Sequence, residues 1–286
     1  MTADGVPARV GVLGGGRMGA GIAHAFALAG AELVVVERDD DAAAAASARL
    51  RASLEKAVER GSTARTITDL EGAFTTATDV AAFAECALVI EAVPEDRTLK
   101  LDALRRVEAV AGDAALATNT SSISIDDLAA GLSRPERFLG LHFFNPVPPS
   151  ALVEVVIGSA TAPGLVDDAR AWVAALGKTA VVVRDAPGFA SSRLGVALAL
   201  EAIRMVEEGV ASPADIDAAM ELGYRHPTGP LRTTDIVGLD VRLGIAEELH
   251  AKLGERFAPP ELLRRMVAEG RLGRKTGSGF YEWSDQ

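Results

Sequence analysis

Across the first half of the chain, short β-branched runs alternate with segments whose apolar residues recur at helical spacing. Arg9–Leu13 reads as a strand, residues 18–29 as a helix and 33–36 as a second strand. A long helix pattern covers 39–60, where the alanine run 42–46 is favoured by propensity. Residues 74–75 read as a short third strand and 88–90 as a clearer one, followed by a helix over Arg97–Val110 and a strand over Ala115–Thr118. Such alternation requires right-handed crossovers and a largely parallel sheet.

From Phe138 the pattern changes. Phe138–Phe143, 153–157 and 180–183 read as three more strands, with a helix over 163–176 closed by Gly177. Beyond Asp185-Ala186-Pro187-Gly188 the strands stop, and four helices are expected at 189–208, 212–222, 231–253 and 261–269. Ser212-Pro213 has the form of an N-cap with proline in the first turn. The pattern therefore predicts an α/β domain over 1–184 followed by an all-α domain over 185–286. A tail of apolar-faced helices can cover a cleft, pair with a second subunit, or do both.

Composition narrows the classes of function. Of 286 residues, 49% are hydrophobic, enough for a substantial core. Forty acidic against 29 basic residues give a net charge of −11, which argues against a nucleic-acid surface. Cys86 is the one cysteine, so neither an internal disulfide nor a thiolate metal cluster can form, and no metal site is expected. The first nine residues lack an apolar signal segment, and no long apolar run suits a membrane span; a soluble, cytoplasmic protein is expected.

The most telling local pattern is Gly14-x-Gly16-x-x-Gly19 between the first strand and the first helix. Gly14 permits a tight turn, Gly16 leaves no side chain between helix and pyrophosphate, and Gly19 lets the helix pack close to the sheet. Backbone N–H groups at the helix start then face phosphates, with Arg17 and Met18 in the same turn. Glu37, 23 residues after Gly14, closes the second strand, where a carboxylate can accept both adenosine ribose hydroxyls. Together these mark a Rossmann-type dinucleotide-binding unit. The carboxylate favours NAD over NADP, whereas Arg38 beside it could pair with a 2′-phosphate.

Hydride removal from a secondary alcohol needs a base for the hydroxyl proton, and imidazole suits neutral pH. There are four histidines. His24 and His250 fall inside helix patterns and read as structural or solvated, and His226 sits in a helix-ending loop. His142 lies near the end of an apolar strand, where α/β enzymes place catalytic groups; the bland alternative is a strand histidine bonded to a backbone carbonyl. Glu154 interrupts the apolar strand that follows, and a buried carboxylate needs a partner. If the two strands are neighbours, Glu154 orients His142 and stabilises the imidazolium. Asn119-Thr120-Ser121-Ser122 supplies short polar groups at another strand end, either as turn caps or as donors to a reacting oxygen or the nicotinamide amide.

The order of these segments resembles the L-3-hydroxyacyl-CoA dehydrogenase family, in particular its short bacterial 3-hydroxybutyryl-CoA dehydrogenases. The likeness covers nearly the whole chain. It is carried by the glycine fingerprint, Glu91-Ala92-Val93-Pro94-Glu95-Asp96, Asn119-Thr120-Ser121-Ser122-Ile123, Gly140-Leu141-His142-Phe143-Phe144-Asn145-Pro146, Leu152-Val153-Glu154-Val155, Asp185-x-Pro187-Gly188-Phe189 and Lys275-Thr276-Gly277-x-Gly279-Phe280-Tyr281. The resemblance implies NAD-dependent, reversible oxidation of a short (S)-3-hydroxyacyl-CoA to the 3-oxo thioester. It implies that His142 is the base, Glu154 its partner and Ser121 the hydroxyl on the substrate C3 oxygen. It places Glu91, Lys100 and Asn119 beside the cofactor, Ser53 and Arg60 on CoA, and dimerisation in the helical domain. The chain departs from the family at Ser192, which stands where an active-site Asn is expected; serine is shorter and has one polar atom fewer, so substrate choice is where a change should show. Two other readings stay open: an NAD-dependent dehydrogenase of a small non-CoA hydroxy acid of sugar-acid or carnitine type, and a non-catalytic NAD-binding or structural protein.

Overall fold

The computed structural model describes residues 5–283, and the chain divides into two compact units that meet between Asp185 and Ala186. The first unit is built on one sheet of β1 (Arg9–Leu13), β2 (Glu32–Val36), β3 (Phe74–Ala77), β4 (Leu88–Glu91), β5 (Ala115–Thr118), β6 (Phe138–Phe143), β7 (Leu152–Ile157) and β8 (Thr179–Arg184), with helices α1 (Arg17–Leu28), α2 (Asp40–Glu59), α3 (Ile67–Glu71), α4 (Arg97–Val110), α5 (Ile125–Ala129) and α6 (Pro163–Ala175). Strand order is β3-β2-β1-β4-β5-β6-β7-β8. Every pairing is parallel except β6 with β7.

The central strands are mainly apolar because they are covered on both faces; β4, β5 and β6 are buried at every position, with Glu91, Thr118 and His142 as the polar exceptions near their carboxyl ends. On α1, Ile22, Ala23 and Phe26 face the core, where they join Val10, Val12, Leu50, Leu54 and Leu141. Phe26 is 1% exposed, so its truncation to alanine would cost about 3–5 kcal/mol. Helix starts are set by aspartates at strand ends: the Asp39 side chain accepts from the Ala42 N–H at 2.7 Å and that of Asp96 from the Leu99 N–H at 2.8 Å.

The second unit holds α7 (Ser191–Glu207), α8 (Pro213–Ala218), α9 (Pro230–Val237), α10 (Leu239–Leu253) and α11 (Glu261–Ala268) around Leu200, Ile203, Leu231, Leu249 and Leu263. Two buried aspartates tie its loops down. Asp217 accepts from the N–H groups of Leu231 and Arg232 and the Tyr281 hydroxyl, and Asp235 accepts from the N–H groups of Phe280 and Tyr281 and the Trp283 indole.

Four details depart from the sequence pattern. The single helix expected over 231–253 is two, because Gly238 has φ +107°, a conformation that ends α9 before α10 begins. The helix expected from 189 begins at Ser191, since Phe189 has φ +47°. The helix expected over 212–222 is α8 followed by a π turn over Ala219–Gly223. Finally, α3 and α5 had no periodic signal, being five residues each. Among the described residues no helix is long and apolar enough to cross a membrane.

Candidate active site

Apart from Ser53 and Arg60 on α2, the predicted groups of the first unit lie at or beside the carboxyl ends of β1, β2, β4, β5 and β6, the edge where open α/β sheets bind ligands. At β1 the chain turns through Gly14, φ +94°, whose N–H donates to the Val36 carbonyl at 2.9 Å. A Cβ on Gly14 would stand 2.9 Å from the Ala92 carbonyl oxygen. Gly19 lets α1 close on the carbonyl of Gly14. Gly16, the N-cap of α1, faces open space, with no atom within 4 Å of where its Cβ would be. Glycine is thus enforced by the fold at 14 and 19, and at 16 it keeps the helix start bare, which fits a pyrophosphate against the N–H groups.

Glu37 accepts the Gly15 N–H at 2.7 Å through one carboxylate oxygen, binding the end of β2 to the glycine loop. Arg38 turns away, with its Nε on Asp39 at 2.9 Å and its side chain 83% exposed. Arg49 from α2 donates to the Gly15 carbonyl at 2.6 Å, which further fixes the loop.

At the end of β4, Glu91 is 1% exposed. One of its oxygens accepts from Lys100 Nζ at 2.8 Å and the Val93 N–H at 2.7 Å, and the other from the Thr118 hydroxyl at 2.6 Å. Burial pushes this carboxyl up, against the pull of Lys100 and the three donors. Both oxygens are thus engaged by protein. Lys100 also donates to the Val93 carbonyl at 3.0 Å and lies 3.3 Å from Glu95.

Glu95 is the residue sequence reasoning passed over. One of its oxygens accepts from the Thr120 hydroxyl at 2.6 Å and from the N–H groups of Ser121 and Ser122 at 2.9 and 3.1 Å, and both serine hydroxyls lie within 3.3 Å. Burial alone would raise its carboxyl; Lys100 and these donors outweigh that and hold it below the usual carboxylate value. The one sequence signal was its place in the Glu91–Asp96 segment; the loop it binds, at the end of β5, belongs to another element and was not legible there. Asn119 accepts the Phe143 N–H at 2.9 Å, linking the ends of β5 and β6.

His142 and Glu154 are direct cross-strand partners in the antiparallel β6–β7 register. His142 Nδ1 lies 2.8 Å from a Glu154 oxygen, with the two residues 7% and 0% exposed. The Phe144 ring packs against the imidazole, centroids 4.6 Å apart. Carboxylate and ring therefore fix each other's orientation in a setting where charge is weakly screened.

The residues expected to hold CoA lie on α2. The Ser53 hydroxyl is 2.9 Å from Nδ1 of His24, a buried ring whose pKa is lowered by burial and by Lys178. Arg60 is exposed as the C-cap of α2. Ser192 lies in the first turn of α7, in the second unit.

A sheet with a bare helix start at its switch point and a buried imidazole–carboxylate pair near the same edge has the form of an α/β dinucleotide-binding domain. Residues 9–186 match the NAD binding domain of 3-hydroxyacyl-CoA dehydrogenase and residues 188–283 its C-terminal domain. The chain belongs to the 3-hydroxyacyl-CoA dehydrogenase family. It is 43% identical to 3-hydroxybutyryl-CoA dehydrogenase of Mycobacterium tuberculosis over 282 residues, covering 96% of this chain and 98% of the relative. It is 41% identical to a probable 3-hydroxybutyryl-CoA dehydrogenase of Deinococcus radiodurans over 277 residues, covering 96% of this chain and all of that one. The crystal structure of (S)-3-hydroxybutyryl-CoA dehydrogenase from Ralstonia eutropha superposes with a TM-score of 0.92 at 38% identity, covering 98% of this chain and 100% of that one.

Proposed function

We propose that the protein is a cytoplasmic oxidoreductase that interconverts short (S)-3-hydroxyacyl-CoA and 3-oxoacyl-CoA thioesters with NAD. The buried His142–Glu154 pair carries this reading, since no structural need of an apolar sheet calls for an imidazole and a carboxylate in register at its ligand edge. Bound there, a nicotinamide would supply the hydride acceptor. His142 takes the C3 hydroxyl proton on Nε2, and Glu154 holds Nδ1–H and stabilises the imidazolium that results. Ser121, held by Glu95 through its N–H, exchanges its 3.3 Å hydroxyl bond to Glu95 for one donated to the C3 oxygen. Ser192 contributes a further hydrogen bond to the substrate. Gly14, Gly16, Arg17, Met18 and Gly19 hold the pyrophosphate. Lys100, Glu91 and Asn119 fix the loops beside the nicotinamide, with Glu91 acting through Lys100 because both its oxygens are taken. Glu37 accepts the ribose hydroxyls, and Arg38, engaged by Asp39, leaves NAD favoured over NADP. Ser53 and Arg60 contact CoA, and the helical unit forms a homodimer.

The test is a rate panel: NAD+ and NADP+, each with 3-hydroxyacyl-CoA thioesters of increasing length and with free hydroxy acids. Turnover of short thioesters with NAD+ is expected. Turnover of free acids with thioesters ignored would replace this reading by the non-CoA alternative. His142→Gln should abolish most turnover while NADH still binds; full activity would remove His142 from the base role.

A further inference from the structure

Arg242 is anomalous among the charged groups of the helical unit. It lies in the first turn of α10, is 9% exposed, and its Nε has no hydrogen-bond partner among the described residues. Burial pushes its pKa down, and no acidic neighbour among the described residues offsets the effect. The two buried aspartates of the same unit behave otherwise, each accepting three hydrogen bonds. Buried charges in proteins are ordinarily paired, so a guanidinium that meets no anion among the described residues marks a place where one can arrive with a ligand.

Its position narrows what that anion is. A Cβ on Gly195 of α7 would stand 3.3 Å from one terminal nitrogen of Arg242 and 3.9 Å from the other. The fork of the guanidinium therefore lies against α7 at a residue that has no side chain to push it off. Ser192 is three residues earlier on α7, on the same face and one helical turn away. In the function proposed above, on which this inference rests, Ser192 meets the reacting end of the substrate. The phosphates of CoA lie at the far end of its pantetheine arm, so an anion within a turn of Ser192 belongs to the acyl group.

We propose that Arg242 is a specificity residue that binds a carboxylate at the end of the acyl chain, so that the substrates include 3-hydroxyacyl-CoA thioesters of short dicarboxylic acids. The planar fork suits a carboxylate, which it can grip with two parallel hydrogen bonds, whereas a terminal methyl would leave the charge buried and unpaired.

The experiment compares two six-carbon thioesters that differ at C6 alone, (S)-3-hydroxyhexanoyl-CoA and its C6-carboxylate counterpart. It uses the full-length protein with NAD+, together with calorimetric binding of the unreactive hexanoyl-CoA pair. The wild type is expected to favour the carboxylate by at least tenfold in kcat/KM and in Kd. Arg242→Gln should bring both ratios near one, Arg242→Lys should retain part of the preference, and Gly195→Ala, which crowds the guanidinium, should reduce it with the arginine still present. A wild-type ratio of one or less overturns the proposal, as does a ratio that Arg242→Gln leaves unchanged. Conversion of a dimer to monomer by Arg242→Gln, with no carboxylate preference in the wild type, would assign the anion to a second copy of the chain instead. If neither six-carbon thioester nor any shorter one is oxidised, the dehydrogenase reading falls; a carboxylate preference absent in an enzyme that oxidises them defeats the inference alone.

Discussion

Replacing Glu154 separates orientation from charge in the His142 pair. Glutamine in its place keeps the size of the side chain and an amide oxygen that can still accept from Nδ1, so the ring stays where β6 holds it. What is lost is the negative charge 2.8 Å from a ring that becomes cationic as the alcohol proton moves. A hydrogen bond to a charged group is worth about 1.5–3 kcal/mol and a neutral one about 0.5–1.5, a difference of about 1–2 kcal/mol. At 1.36 kcal/mol per decade this lowers kcat roughly 5- to 30-fold. Alanine removes the acceptor as well, and the loss rises to roughly 10- to 150-fold. Because Glu154 is fully buried on a strand behind the ring, the effect belongs in kcat, with NADH affinity unchanged. Steady-state NADH production gives kcat and KM, and fluorescence titration gives the NADH Kd. A kcat within twofold of wild type for both variants, or a loss confined to KM for NAD+, would refute the idea that the carboxylate stabilises a charged imidazole.

Gly16→Ala should leave the melting temperature nearly unchanged, because its Cβ enters open space, yet weaken NADH binding at least tenfold; equal affinity would remove the pyrophosphate from that helix start. Glu95→Gln should loosen residues 120–122 and lower kcat about tenfold, read by hydrogen exchange of the loop amides alongside kinetics. The Glu95 carboxyl is held below its usual value in the folded protein, so its stabilisation is present above that value and is lost as pH falls through the lowered one. The acid limb of the stability profile should therefore flatten in Glu95→Gln, and an unchanged limb would show that the carboxylate adds nothing. Asp235→Ala removes the acceptor of three part-buried donors and should cost about 3 kcal/mol, measured by urea unfolding; a loss below about 1 kcal/mol would contradict the pinning of residues 280–283 by this carboxylate.

Local chemistry wrote much of this protein directly into its sequence. The backbone angle at Gly14, the bare N-cap at Gly16 and the apolar runs of β1, β4 and β6 are decided within a few residues, by sterics and by which faces must leave water. His142 and Glu154 could each be singled out as polar interruptions of apolar strands. Their contact could not, because it depends on β7 running antiparallel to β6 in a register that sets residue 142 opposite residue 154. Tertiary structure alone decided that Glu91 turns inward to Lys100 and Thr118 while Glu95 gathers the serine loop, since both are acids near one strand end and their partners come from other elements. The break at Gly238 and the burial of the Arg242 guanidinium were equally silent in the sequence. A glycine is tolerated inside a helix, and an arginine is ordinarily solvated, until neighbouring helices close around them.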